Sequence, residues 1–141
     1  MTKVLVPIDG SANALHAVDI AIKAIAEGRS LEVHLLNVKP QIVSGHARMY
    51  LKKDLIDEYY AEEAQKALAP AKEKLDKAGI SYTVSHQVGN VSETIAKYVK
   101  AKGCELVIMG TRGLGSVQSM VLGSVATKVL HLVDVPVTLV K

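Results

Sequence analysis

The residues best suited to binding chemistry lie in a glycine-rich segment near the C-terminal end of the chain. Residues 110–116 read Gly-Thr-Arg-Gly-Leu-Gly-Ser, and Gly123-Ser124 follow at the start of a segment with helical period. Glycine allows tight turns and brings main-chain N–H groups close to a ligand. At Gly123-Ser124, free N–H donors, a hydroxyl and the positive end of a helix dipole coincide, which is typical of anion sites. The pattern favours phosphate binding, and the alternative is a surface loop followed by an ordinary helix cap.

A second polar turn, Asp9-Gly10-Ser11, follows the first apolar run of the chain. Ser11 is a suitable cap for the helical pattern that comes next. In open α/β sheets, ligands lie outside the carboxyl ends of the strands, where the strand order reverses. Both polar turns are predicted to lie at such ends.

The elements that position these turns follow from hydrophobic periodicity. Short apolar runs alternate with longer segments of helical period, which predicts βα units and a parallel sheet. Strands are predicted at residues 3–8, 31–38, 80–88, 105–109 and 135–140. Helices are predicted from Ser11 to Gly28, Leu51 to Gly79, Ser92 to Lys102 and Ser124 to Leu132, with a mobile connection at residues 41–48. Five strands and four crossover helices predict one α/β domain, residues 1–141, built on a right-handed, doubly wound parallel sheet.

Three local features refine these boundaries. Pro70 lies inside the second helical segment, where a proline costs about 3 kcal/mol, so a kink or a restart is expected. In that segment Leu51, Leu55 and Leu68 are among the apolar residues at helical spacing. Asn90 followed by Glu93 predicts a capping box at the start of the third helix.

Composition excludes several classes of protein. About half of the 141 residues are apolar and the net charge is only +3, with 17 basic and 14 acidic residues interspersed. With five Tyr, no Phe and no Trp, the chain lacks the stacking surfaces that single-strand nucleic-acid binders use. The first residues are no signal peptide, and no stretch approaches the roughly 20 apolar residues that span a bilayer. We therefore expect a cytoplasmic protein that binds neither nucleic acid nor membrane.

Other catalytic or metal-binding arrangements find no support in the sequence. Five scattered histidines show no metal-ligand spacing, and the single cysteine, Cys104, is expected to be a buried core residue. Ser11 and Ser116 have no neighbouring His-Asp arrangement. The acidic residues of the second helix are expected to face solvent; they are Asp54, Asp57, Glu58, Glu62 and Glu63. No Gly-Lys-Ser/Thr is present, so the glycine-rich segment is not a Walker loop.

The glycine spacing resembles that of the ATP-binding universal stress proteins. Gly110-x2-Gly113-x9-Gly123-Ser124 matches that family's pattern, and Val-Pro-Ile-Asp-Gly-Ser at residues 6–11 is similar to its opening strand and aspartate turn. The resemblance extends over essentially the whole chain. It implies an adenine nucleotide α-hydrolase-like fold with strand order 3-2-1-4-5, in which both polar turns border one crevice.

The resemblance also implies roles for individual residues in binding ATP, or AMP or ADP. Asp9 would accept a hydrogen bond from the ribose, and Val38 would meet adenine through its main chain. The adenine would lie against Pro7 and Ile8, and the sugar and α-phosphate against Met109 and Gly110. The phosphates would be held by Gly113, Gly123, Ser124 and Val125. Arg112 could neutralise the phosphate tail or be a solvated loop arginine, and Mg²⁺ would be bound largely by the phosphates, since no second carboxylate is available for it.

The preferred function at this point is a nucleotide-dependent regulatory module of the stress response, with at most slow ATP hydrolysis. No residue near the expected phosphates resembles a general base. Two alternatives stay open, namely a nucleotide-free dimeric interaction module of the same fold and an adenylate-handling enzyme. The resemblance further implies a homodimer formed through the last strand, Val135–Val140.

Overall fold

A computed structural model of the chain describes residues 1–41, 52–114 and 121–141. The strands are β1 (Thr2–Pro7), β2 (Leu31–Lys39), β3 (Tyr82–Val88), β4 (Leu106–Gly110) and β5 (Val137–Val140). The helices are α1 (Ala12–Ala26), α2 (Lys53–Lys77), α3 (Val91–Lys102) and α4 (Ser124–Leu132). Leu51, Gly115, Ser116 and most of the predicted connection at residues 41–48 lie outside the described residues.

The five strands form one parallel sheet in the order β3-β2-β1-β4-β5, which confirms the predicted fold. Two apolar clusters cover its two faces, so the central strand β1 is buried on both sides. Val4 and Val6 belong to the cluster under α1 and α2, whereas Leu5 belongs to the cluster under α3 and α4. This burial explains why β1 reads as a continuous apolar run.

The predicted helix caps are present where the sequence indicated them. The Ser11 hydroxyl accepts a hydrogen bond from the Ala14 amide at 3.2 Å, and the Asn90 side chain accepts one from the Glu93 amide at 3.0 Å. Each cap satisfies an N–H group that has no acceptor within its own helix. The starts of α1 and α3 are therefore fixed by local sequence.

Two details of the second helix differ from what was expected. Of the kink or restart expected at Pro70, the restart is absent, because α2 continues through Pro70. Pro70 is exposed, so water can bond the carbonyl that loses its helical partner there. Leu55, expected in the core, is 56% exposed, and the neighbouring Ile56 is buried instead. The acidic residues of α2 lie on its solvent side as predicted, with Glu63 half-buried.

Strand ends differ from the predictions by one or two residues. The largest differences are at the starts of β3 and β5, which begin at Tyr82 rather than Ile80 and at Val137 rather than Val135. Pro136 has no N–H to donate, although its carbonyl accepts a hydrogen bond from the Val107 amide at 3.0 Å.

Cys104 is buried as predicted, and desolvation raises the pKa of its thiol.

A polar cluster connects β2 to α3, on the face of the sheet that α3 covers. His34 is buried, with Nε2 2.7 Å from Glu32 Oε2 and Nδ1 2.8 Å from the Tyr98 hydroxyl. A carboxylate only accepts, so the imidazole N–H donates to Glu32, and in the neutral ring Nδ1 accepts from Tyr98. The hydrogen bond from His34 is the main reason that the pKa of Glu32 lies below its ordinary value, and Lys3 acts in the same direction.

We predict that Glu32 contributes to stability in a pH-dependent way. Because its folded pKa is lowered, the contribution should be complete above the unfolded pKa and should disappear as the pH falls through the folded value. Urea unfolding of the wild type and Glu32→Gln at successive pH values measures it, with Glu62→Gln on α2 as the control for net charge. A stability difference between wild type and Glu32→Gln that persists at acid pH would contradict the assignment.

Candidate functional site

A cavity of about 330 Å³ lies beyond the carboxyl ends of β1, β2 and β4, next to the N-terminus of α4. This volume is within the range of small-molecule sites, and the position is where open α/β sheets bind ligands. All eleven residues singled out in the sequence line it: Pro7, Ile8, Asp9, Val38, Met109, Gly110, Arg112, Gly113, Gly123, Ser124 and Val125. The fold thus brings both polar turns to one crevice.

Asp9 joins the two turns directly. Its Oδ1 accepts a hydrogen bond from the Ser11 amide at 2.9 Å, and its Oδ2 accepts one from the Leu114 amide at 3.1 Å. The second bond connects residues 105 positions apart in the chain. Asp9 therefore holds the start of the glycine-rich segment against the end of β1.

Two glycines are required by close approach rather than by their backbone angles. A Cβ on Gly113 would overlap Oδ2 of Asp9. A Cβ on Gly110 would lie 2.6 Å from the Cβ of Asn13 and 3.0 Å from its carbonyl carbon. These glycines let the first turn of α1 and the Asp9 carboxylate lie directly against the end of β4.

The N-terminus of α4 opens into the cavity without a side-chain cap. Gly123 is the N-cap residue, and its own amide donates to the Thr111 carbonyl at 2.6 Å. The first helical hydrogen bond is the one from the Thr127 amide to the Gly123 carbonyl, at 3.1 Å. The amides of residues 124–126 therefore have no acceptor within the helix, and the positive end of the dipole lies at the same place. This end of the cavity is suited to an anion.

The other end of the cavity is apolar and is bordered by the end of β2. The Ile8 amide donates to the Leu36 carbonyl at 2.8 Å, so the main-chain groups of Leu36 face β1. In a parallel strand, alternate residues direct both main-chain groups to the same neighbour. The amide and carbonyl of Val38 therefore face the β1 side as well, beyond Pro7, the last residue of β1 in register with β2.

Among the cavity residues that the sequence analysis gave no role are three polar ones, Asn37, Lys39 and Thr111. Asn37 is a buried polar residue between the apolar residues Leu36 and Val38, and that interruption was a signal available in the sequence. Lys39 adds a second basic side chain to Arg112. The main chain of Thr111 bonds both the Gly123 amide and the Val140 carbonyl, so it connects β5, α4 and the glycine-rich segment. No sequence signal indicated that role.

Within residues 1–41, 52–114 and 121–141, no group of three His, Cys, Asp or Glu side chains is arranged to hold a metal ion. Asp9 is the one carboxylate among the described residues that line the cavity. None of the described helices combines the length and apolarity needed to cross a membrane.

Comparison with known proteins gives consistent matches over the full length. The universal stress protein YxiE of Bacillus subtilis is 33% identical over 146 aligned positions, which cover 99% of this chain and 98% of that protein. The solved structure of protein MJ0577 of Methanocaldococcus jannaschii superimposes with a TM-score of 0.84 at 27% identity, covering 99% of this chain and 95% of the other.

A more distant solved structure shares the fold and carries a nucleotide. It is a universal stress protein from Arabidopsis thaliana with AMP bound, with a TM-score of 0.71 at 17% identity, covering all of this chain and 92% of the other. The family model for universal stress proteins matches residues 1–141. The fold, the full-length relatives and this match together place the chain in the universal stress protein family.

Proposed function

We propose that this protein binds an adenine nucleotide, with ATP as the ligand that fills the cavity, and acts as a nucleotide-dependent regulatory module in the cytoplasm. The observation that carries the proposal is one cavity with an apolar end at β2 and an uncapped helix N-terminus at the other. A nucleoside triphosphate has the same polarity, with an apolar base at one end and an anionic tail at the other. The AMP complex of the Arabidopsis relative supports the choice of an adenine nucleotide.

In the proposed complex the base lies against Pro7 and Ile8, and its polar edge meets the main chain of Val38. Asp9 accepts a hydrogen bond from the ribose while keeping its bonds to the Ser11 and Leu114 amides, since each carboxylate oxygen can accept more than one. Met109 and Gly110 contact the sugar and the α-phosphate.

The phosphates occupy the anionic end, where the amides of Ser124 and Val125 donate to them. Gly123 carries no side chain that would compete with the phosphates, Gly113 contributes its main chain to the same end of the cavity, and Arg112 supplies positive charge. Mg²⁺ enters the proposal only as an ion carried by the phosphates, because the one described cavity carboxylate, Asp9, already accepts two amides. When bound, it would neutralise phosphate charge.

The proposed role is binding rather than rapid hydrolysis. Efficient phosphoryl transfer to water needs a residue that orients or deprotonates the attacking water near the terminal phosphate. Among the described residues of the cavity, Asp9 is the one candidate base, and it lies at the ribose position of the proposed complex. Any ATPase activity should therefore be slow.

Calorimetry and mass spectrometry test the proposal together. The purified protein, denatured in acid, should release adenine nucleotide that mass spectrometry identifies, and the nucleotide-free protein should bind ATP with one site per chain. Absence of both released nucleotide and titratable ATP binding would contradict the proposal and would favour the nucleotide-free interaction module.

We further propose a homodimer through the open edge of β5. The carbonyls of Pro136 and Val140 accept hydrogen bonds from β4 residues and Thr111, so alternate residues 136, 138 and 140 face β4. The main-chain groups of Val137 and Leu139 then face outward, which leaves an unpaired edge. Leu130 and Leu132 of α4, the helix that precedes β5 in the chain, are 42% and 49% exposed. An apolar, unpaired edge of this kind favours pairing with a second copy.

We predict that Val137→Pro weakens the dimer at least about tenfold, because it removes an outward N–H without touching the bonds to β4. Light scattering across a range of protein concentrations measures the monomer–dimer equilibrium. Val137→Thr keeps both the N–H and the β-branch, so it should behave like the wild type. A wild type that is monomeric at tens of micromolar, or a Val137→Pro variant that dimerises as well as Val137→Thr, would overturn the proposal.

A further inference from the structure

Asn37 is a polar residue of β2 to which the proposed nucleotide contacts assign no role. Its side chain is completely buried, and its neighbours Leu36 and Val38 are apolar. It lines the cavity, and its Nδ2 donates to the Ile8 carbonyl at 2.8 Å. The contact lies where β1 ends and the crevice begins.

The Ile8 carbonyl is also the acceptor that a longer ladder would use. Pro7 is in register with Leu36, and the Ile8 amide donates to the Leu36 carbonyl. The next rung of a parallel ladder would be the Val38 amide donating to the Ile8 carbonyl. Among the hydrogen bonds between described residues at this junction, Ile8 receives the Asn37 side chain and that rung is not formed.

The remaining polar atom of Asn37 adds a cost to this arrangement. Oδ1 is buried and has no hydrogen-bond partner. A buried acceptor without a partner costs free energy, whereas an apolar side chain of similar shape would avoid that cost. An apolar residue here would also continue the pattern of β2. An amide at this position is therefore not explained by packing alone.

We propose that Asn37 is a positioning residue that sets base specificity: by holding the Ile8 carbonyl, it ends the β1–β2 ladder and keeps the main chain of Val38 available to the polar edge of adenine. The inference rests on the proposed nucleotide site. With its ladder partner occupied, the Val38 amide can donate to a ring nitrogen and the Val38 carbonyl can accept from an exocyclic amine. Adenine presents that acceptor and donor pair on one edge, whereas a 6-oxo purine presents the reverse.

The test compares two ligands on two proteins. The ligands are ATP and 1-deaza-ATP, in which a C–H group replaces the ring nitrogen that the Val38 amide would meet. In Asn37→Leu the Val38 amide is expected to donate a hydrogen bond to the Ile8 carbonyl, which extends the β1–β2 ladder by one rung. The wild type should prefer ATP by about fivefold, the effect of one hydrogen bond, and in Asn37→Leu the two affinities should become equal within about twofold. Leu35→Met, a buried change of similar volume on the same strand and outside the cavity, should keep the wild-type ratio.

The ratio separates positioning from general damage, because a loosened site would weaken both ligands equally. A preference for ATP that survives in Asn37→Leu would overturn the inference, as would equal affinities in the wild type. Failure of the wild type to bind either ligand would instead contradict the proposed nucleotide site.

Hydrogen exchange on the wild type provides a measurement that does not depend on the variant folding. Exchange of the Val38 amide should slow by at least about tenfold when ATP is added, because ATP supplies its missing acceptor. Exchange of the Leu36 amide, which already faces β1, should change little. A Val38 amide that is equally protected without ATP would mean that it already has a partner, and the inference would fail.

Discussion

Replacing Gly123 with Asp should lower the affinity for ATP at least about a hundredfold. In the structure Gly123 is the N-cap of α4 and offers no side chain to the amides that follow it. An aspartate at an N-cap accepts hydrogen bonds from those amides, so its carboxylate would occupy the anion site. The loss of two hydrogen bonds to a charged group, each worth about 1.5–3 kcal/mol, accounts for the expected decrease, and repulsion between like charges adds to it.

The same substitution should leave the fold intact and raise its stability by a few tenths of a kcal/mol, since aspartate is a somewhat better cap than glycine. Calorimetry for ATP and thermal unfolding of the nucleotide-free protein measure the two effects. Gly123→Asn is the matched control, because it caps the helix without adding charge and should weaken ATP binding less. Undiminished ATP affinity in Gly123→Asp would mean that the phosphates lie elsewhere.

Gly110→Ala should lower the free energy of unfolding by about 1–3 kcal/mol, the usual cost of overpacking a close contact. The added Cβ would meet both the Cβ and the carbonyl carbon of Asn13. Asn13 also donates to the Val140 carbonyl at 3.3 Å, so moving α1 away would weaken a link to β5. The destabilisation should therefore be cooperative rather than confined to the loop.

A double-mutant cycle identifies the cause of this destabilisation. Asn13→Gly removes the nearer of the two clashing atoms, at the cost of a glycine near the helix start. If the contact with Asn13 is responsible, urea unfolding should show that the double variant loses less stability than the sum of the two single variants. Strict additivity would show that Gly110 is required for another reason.

The sequence by itself determined the local elements of this protein. The alternation of short apolar runs with helical segments predicted five strands and four helices, because burial on both faces of a parallel sheet removes polar residues from its strands. The caps at Ser11 and Asn90 were predictable because a cap acts within three residues of itself. The glycine spacing and the Asp9 turn indicated the resemblance to the universal stress proteins, and that resemblance supplied the eleven residues that line the cavity.

Only the tertiary structure decided what these residues do to one another. Periodicity does not encode strand order, and only the arrangement of β1 beside β4 lets Asp9 hold the Leu114 amide. The buried face of α2 was not predictable for a similar reason, because the face that a helix buries depends on its packing partners. Pro70 lies on the exposed side, where the helix continues through it. The role proposed for Asn37 depends on where β1 ends relative to β2, and long-range packing sets that register, which no local sequence pattern indicates.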